Sequence, residues 1–130
     1  MNINGIYMNI PVANVAKSRQ FFQAIGFSIY EKYSGESHLC LELASNIRVM
    51  LTEKAQFEAM LGKPAADRES SEALLSLTCE SPELVKSIAE SAFAQGAREI
   101  NEFEENEFMY SWGFEDLDGH VWDLHCFKNE

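Results

Sequence analysis

Apolar residues fall at every second position in several short runs of this chain, and at helical spacing in the segments between them. In residues 3–12, Met8, Ile10 and Val12 alternate with Tyr7, Asn9 and Pro11. A two-residue period sends alternate side chains to opposite faces, so the run predicts a strand. Asn14 is a good helix cap, and Val15, Ser18, Phe22 and Ile25 follow at helical spacing up to Gly26. Residues 27–33, 38–43 and 47–52 read as three further strands, and 53–61 as a short helix. Residues 62–71, with Gly62, Pro64 and several charges, predict a mobile loop or a boundary between halves.

The order then restarts. Leu75, Leu77 and Cys79 alternate with Leu74, Ser76 and Thr78, which predicts a strand over 73–79. Ser81 caps a helix with Pro82 in its first turn, and Leu84, Val85, Ile88, Ala92 and Phe93 give it an apolar face ending at Gly96. Residues 97–101 read as a strand, the acidic stretch 102–107 as a loop, and 108–115 as a strand. The last hairpin turns on Asp116-Leu117-Asp118-Gly119. Aspartate bonds its own local backbone in such turns, and glycine takes the positive φ they need. Beyond the turn, Trp122, Leu124 and Cys126 share an apolar face, while Val121, Asp123, His125 and Phe127 share the other. Strand, helix and three strands therefore occur twice, with Val12, Asn14 and Gly26 answered by Cys79, Ser81 and Gly96. A ferredoxin-like sandwich supplies two strands per helix, one fewer than each half here.

These residues carry a resemblance. Phe-Glu-Asp-Leu-Asp-Gly-His-Val-Trp-Asp-Leu, from Phe114, resembles the closing hairpin of the vicinal oxygen chelate superfamily, which includes glyoxalases, bleomycin-resistance proteins and extradiol dioxygenases. It departs at Leu117, where proline is usual, and at Asp123, where a metal-binding glutamate is usual. Asn9 to Val15, followed by Phe21-Phe22-Gln23-Ala24-Ile25-Gly26-Phe27, is similar to the same superfamily's N-terminal signature. The resemblance implies an α+β fold: two paired βαβββ modules, about 1–62 and 72–130, forming one domain of 1–130 with a curved sheet cup and its helices outside. It also implies a divalent metal held in the cup from the first strand of each half and from the last strand. In this register those positions are Tyr7, Leu74 and Asp123, and the two histidines usual in metal-dependent members are missing. Asp123 is the one candidate ligand, so no metal or other cofactor is expected.

Composition narrows the function classes. An apolar content of 46% excludes a disordered chain. A net charge of −11 disfavours nucleic acid and anionic membrane as partners, since both select cationic surfaces. No apolar run is long enough for a membrane span, and the first residues lack a signal-peptide pattern. Cys40, Cys79 and Cys126 are widely spaced in apolar strands, which predicts buried free thiols and a cytoplasmic setting.

For the cup, the sequence nominates Tyr7, Asn9, Met50, Leu74, Tyr110, Trp112, Asp123 and His125 as ligand-binding residues, with Phe127 beside them. An apolar concavity with a few convergent polar groups suits a small molecule. Asp123 and His125 stand two residues apart on one face, roughly 6.5–7 Å along the strand, so they can act as a polar pair. His120 reads as a solvated turn residue and His38 as a surface residue. The leading expectation is a metal-independent small-molecule-binding protein, assembled as a homodimer. A glyoxalase-type lyase or isomerase using metal on Asp123 is the alternative enzyme. A non-catalytic interaction protein with a filled cup is the third reading.

Overall fold

The computed structural model describes residues 1–71 and 73–129, so the predicted first and last residues of the second module, 72 and 130, lie outside the described residues. The chain divides into two compact units, Met1–Ala65 and Ala66–Glu130. Each is a mixed α and β unit with its own sheet.

The first unit runs β1 (Ile6–Val12), α1 (Val15–Ala24), β2 (Ser28–Ile29), a 3₁₀ turn (Glu31–Tyr33), β3 (His38–Ala44), β4 (Ile47–Glu53) and α2 (Lys54–Leu61). Its sheet order is β1-β4-β3-β2, with β1 and β4 parallel and the other pairs antiparallel. Asn14 caps α1 through its side-chain oxygen, which accepts from the Lys17 N–H at 3.0 Å. Val15, Ser18, Phe21 and Phe22 of α1 are buried, as are Ile10, Val12, Leu39, Leu41, Val49 and Leu51 of the strands. Fully burying one such side chain contributes about 1.5–3 kcal/mol. Pro11 sits in β1, an edge strand, where a missing N–H is tolerated. The β-prone run 27–33 forms only two residues of strand, because Tyr30 opens a 3₁₀ turn stitched by Ser34: its hydroxyl donates to the Tyr30 carbonyl and accepts from the Cys40 N–H.

The second unit runs β5 (Leu74–Thr78), α3 (Pro82–Ala94), β6 (Arg98–Glu99), β7 (Glu104–Glu105), β8 (Met109–Glu115) and β9 (Val121–Phe127). Its sheet order is β5-β9-β8-β6, and β7 also pairs with β8. β5 runs parallel to β9, and the remaining pairs are antiparallel. The Ser81 hydroxyl accepts from the Leu84 N–H at 3.1 Å, and Pro82 opens α3. Val85, Ala89 and Ala92 of that helix are buried with Phe114, Trp122 and Leu124 of the sheet. Phe114 and Trp122, both fully buried, stack at 6.2 Å between ring centres.

Two expectations for this unit are corrected. The predicted strand 97–101 shortens to Arg98–Glu99, and the acidic stretch read as a loop contributes the two-residue strand Glu104–Glu105. Backbone pairing to Ser111 and Tyr110 of β8 outweighs the poor strand propensity of glutamate there. Among the described residues no helix is long and apolar enough to cross a membrane.

Candidate functional site

In the second sheet, register decides what meets what. Trp122, Leu124 and Cys126 of β9 are buried and pair with Phe114, Trp112 and Tyr110 of β8. The opposite face carries Val121, Asp123, His125 and Phe127, paired across β8 with Glu115, Gly113, Ser111 and Met109. On the other flank, β5 sets Leu74, Ser76 and Thr78 beside Val121, Asp123 and His125. Three rows thus cross the open face: Leu74–Val121–Glu115–Arg98, Ser76–Asp123–Gly113, and Thr78–His125–Ser111–Glu104.

The second and third rows are polar apart from Gly113. His125 Nε2 lies 2.7 Å from the Thr78 hydroxyl, and His125 Nδ1 lies 3.4 Å from Asp123 Oδ2. The first is a good hydrogen bond, while the second is long and chiefly electrostatic. Asp123 keeps 33% of its side chain exposed and His125 12%. Gly113 leaves space beside Asp123, and a Cβ there would come within 3.1 Å of the Trp122 carbonyl. An open hollow of about 270 Å³ lies over this region, bordered by Leu74, Ser111, Gly113, Val121, Asp123 and Glu104 among others.

The nominated aromatics go elsewhere. Trp112 borders the hollow but packs its ring edge-on to Phe93 of α3, 5.2 Å between centres, and donates its indole N–H to Glu99 at 2.8 Å. Tyr110 stacks on Phe103 and lies under Lys128. Both belong to the helix-side face, opposite Asp123 and His125, because their positions on β8 are out of phase with those two on β9. Phe127 does stay on the open face, 4.8 Å from the His125 ring.

Tyr7, Asn9 and Met50 lie in the first unit, on the face of its sheet opposite α1. Asn9 pairs with Met50, and Tyr7 with Arg48. The sequence reading missed Arg48. Its guanidinium stands 4.0 Å from the Tyr30 ring centre and 5.6 Å from that of Tyr7, and it donates to Glu42 and to the Tyr7 hydroxyl. Those bonds, Glu42 first, hold it protonated well above its usual range. The signal lay in residues 30–33, two tyrosines beside a lysine, but only the 3₁₀ turn brings them over Arg48.

The turn before β9 is organised, as its sequence predicts, by Asp116, which is however buried, at 4% exposed. Its carboxylate accepts from the N–H groups of Asp118 and His120 and from the Trp122 indole N–H at 2.9 Å. Burial pushes its pKa up, while nearby His120 and these N–H donors pull it down. His120, expected to be solvated, is half-buried against this turn. Burial likewise raises the Cys79 thiol to about 11, and all three cysteines are free and buried.

The donor set implied for a divalent metal does not fit one. Leu74 has no lone pair to give, and the Tyr7 hydroxyl already accepts from Arg48. A divalent cation takes several nitrogen, oxygen or sulfur donors together. Among the described residues no three His, Cys, Asp or Glu are placed to hold an ion.

No protein-family model and no curated protein matches the sequence. Solved structures do match the fold. A hypothetical protein, SA1046, from S. aureus is 24% identical with a TM-score of 0.83, covering 97% of this chain and 95% of its own. A glyoxalase/bleomycin resistance protein/dioxygenase family enzyme from Burkholderia phytofirmans is 19% identical, TM-score 0.75, covering 94% and 97%. The fosfomycin resistance protein FosX from Listeria monocytogenes is 18% identical, TM-score 0.71, covering 99% and 97%. The fold implied by the two sequence signatures is therefore the fold this chain adopts.

Proposed function

We propose that this protein binds a small organic molecule on the open face of its second sheet, without a metal. The observation that carries this reading is Asp123, backed by His125, on the wall of an open hollow, with room made by Gly113 and apolar flanks from Leu74 and Val121. A few convergent polar groups in an apolar concavity are what small-molecule sites have in common. Fold neighbours named for resistance to bleomycin and fosfomycin support the same class of ligand.

Binding is favoured over catalysis because His125 does not border the hollow. Nε2 faces the Thr78 hydroxyl and Nδ1 faces Asp123, so both ring nitrogens are engaged within the protein. A general base needs a nitrogen within reach of the substrate proton. A lyase reading through metal on Asp123 lacks the donors described above.

We further propose a cytoplasmic homodimer. β1 and β5 are edge strands that expose Ile6, Tyr7 and Leu74 at 54%, 44% and 58%. Exposed apolar edges are liabilities that a second copy would cover.

A small-molecule screen by heteronuclear NMR tests the site. Binders should shift the amides of Asp123, His125 and Gly113, and Asp123→Asn should weaken them. Binders that instead cluster in the first unit, or are unaffected by Asp123→Asn, would overturn the reading.

A further inference from the structure

Resting on that reading, we infer that the ligand is bipolar: an acidic group at one end, a protonated amine at the other, and a short apolar stretch between. A second open hollow, of about 490 Å³, adjoins the one over Asp123 and shares Ile100 and Val121 with it. Its walls include Arg68 and Arg98. The chain carries 21 acidic and only 10 basic residues, so two arginines on one hollow are a local concentration of cations, set against Glu69 and Glu115.

Both guanidiniums are positioned without being used up. Glu115, only 15% exposed, accepts from Arg98 and forms a looser ion pair with Arg68 at 3.7 Å. Arg68 also donates to the Leu117 carbonyl. The two arginine side chains nevertheless remain 55% and 69% exposed. A guanidinium has five N–H donors in a planar fork, so most of each fork remains for a carboxylate or phosphate. Among the described residues Glu69 is the one opposing charge on the walls besides Glu115.

At the other end the charged walls, among the described residues, are acidic only, with Asp123, Glu102 and Glu104 on the adjoining hollow. Arg98 shares a row with Val121, one row from Asp123 on the same face. Two strand spacings and one two-residue step put the backbones of Arg98 and Asp123 about 12 Å apart. Ile100 and Val121, which border both hollows, supply the apolar middle. A ligand with one charge engages only one of the two ends.

The test is titration of the full-length protein with 4-aminobutanoate, 6-aminohexanoate and 8-aminooctanoate against hexylamine and hexanoate, read by amide shifts at Val121 and Asp123. At least one amino acid of the series should bind about 10-fold tighter than either singly charged probe, as a further charge-assisted bond allows. Arg98→Gln should reduce it to the affinity of hexylamine and leave hexylamine unchanged. Arg98 is exposed, so the variant should fold, and Arg68→Gln gives an independent second reading. Hexylamine binding as well as the whole series, or indifference to both arginine variants, would overturn the bipolar ligand while leaving the binding site intact. No shift with any probe would overturn both.

Discussion

Gly119 shows how tightly single residues set the last hairpin. It holds φ of +88°, and a Cβ there would lie 2.8 Å from Arg68 Cγ and 3.0 Å from the Arg68 carbonyl. Gly119→Val should cost about 1–3 kcal/mol, from backbone strain alone, with the close approach adding to it. Chemical denaturation of both proteins checks this, and an unchanged midpoint would contradict it. Asp116 is the second such position. Asp116→Asn keeps an oxygen for the Asp118 and His120 N–H groups but turns an amide donor toward the Trp122 indole N–H. A buried donor left unsatisfied costs about 1–3 kcal/mol, so the variant should unfold at correspondingly lower denaturant. The Asp-x-Asp-Gly sequence announced a turn with a positive-φ glycine. It did not announce that the first aspartate would be buried, because its partner Trp122 was legible only as a core residue.

At the scale of elements, alternation was a faithful guide to faces. Trp122, Leu124 and Cys126 were read as core and are buried, and Asp123 and His125 share the opposite face. What alternation within one strand cannot give is phase between strands. Tyr110 and Trp112 were nominated beside Asp123, but the β8–β9 register pairs them with Cys126 and Leu124. Arg68, Arg98 and Glu115 were illegible for the same reason: they come from three segments and meet through the β6–β8 pairing and the packing of Arg68 against the turn at Gly119. Caps, being local, were legible. Ser81→Ala removes the acceptor for the Leu84 N–H and should cost about 1 kcal/mol, measurable as a lower melting temperature. A variant as stable as the parent would mean that the start of α3 is held by packing alone.

For the whole molecule, the order of elements within each unit follows the repeat seen in the sequence, apart from the added two-residue strand β7 in the second, and solved structures share the fold. The exposed edge residues Ile6, Tyr7 and Leu74 lead to an expected dimer burying more than about 1,200 Å² in total. Light scattering at micromolar concentration should return twice the mass of 14.7 kDa, and a monomer throughout would contradict the assembly. The central claim is binding of a small molecule without metal at Asp123 and His125. Its most direct test is native mass spectrometry of protein purified without chelator, before and after EDTA. The account predicts a bound small molecule that survives chelation in the parent and is lost in Asp123→Asn. Stoichiometric nickel, zinc, manganese or iron, leaving together with the small molecule on chelation, would contradict it.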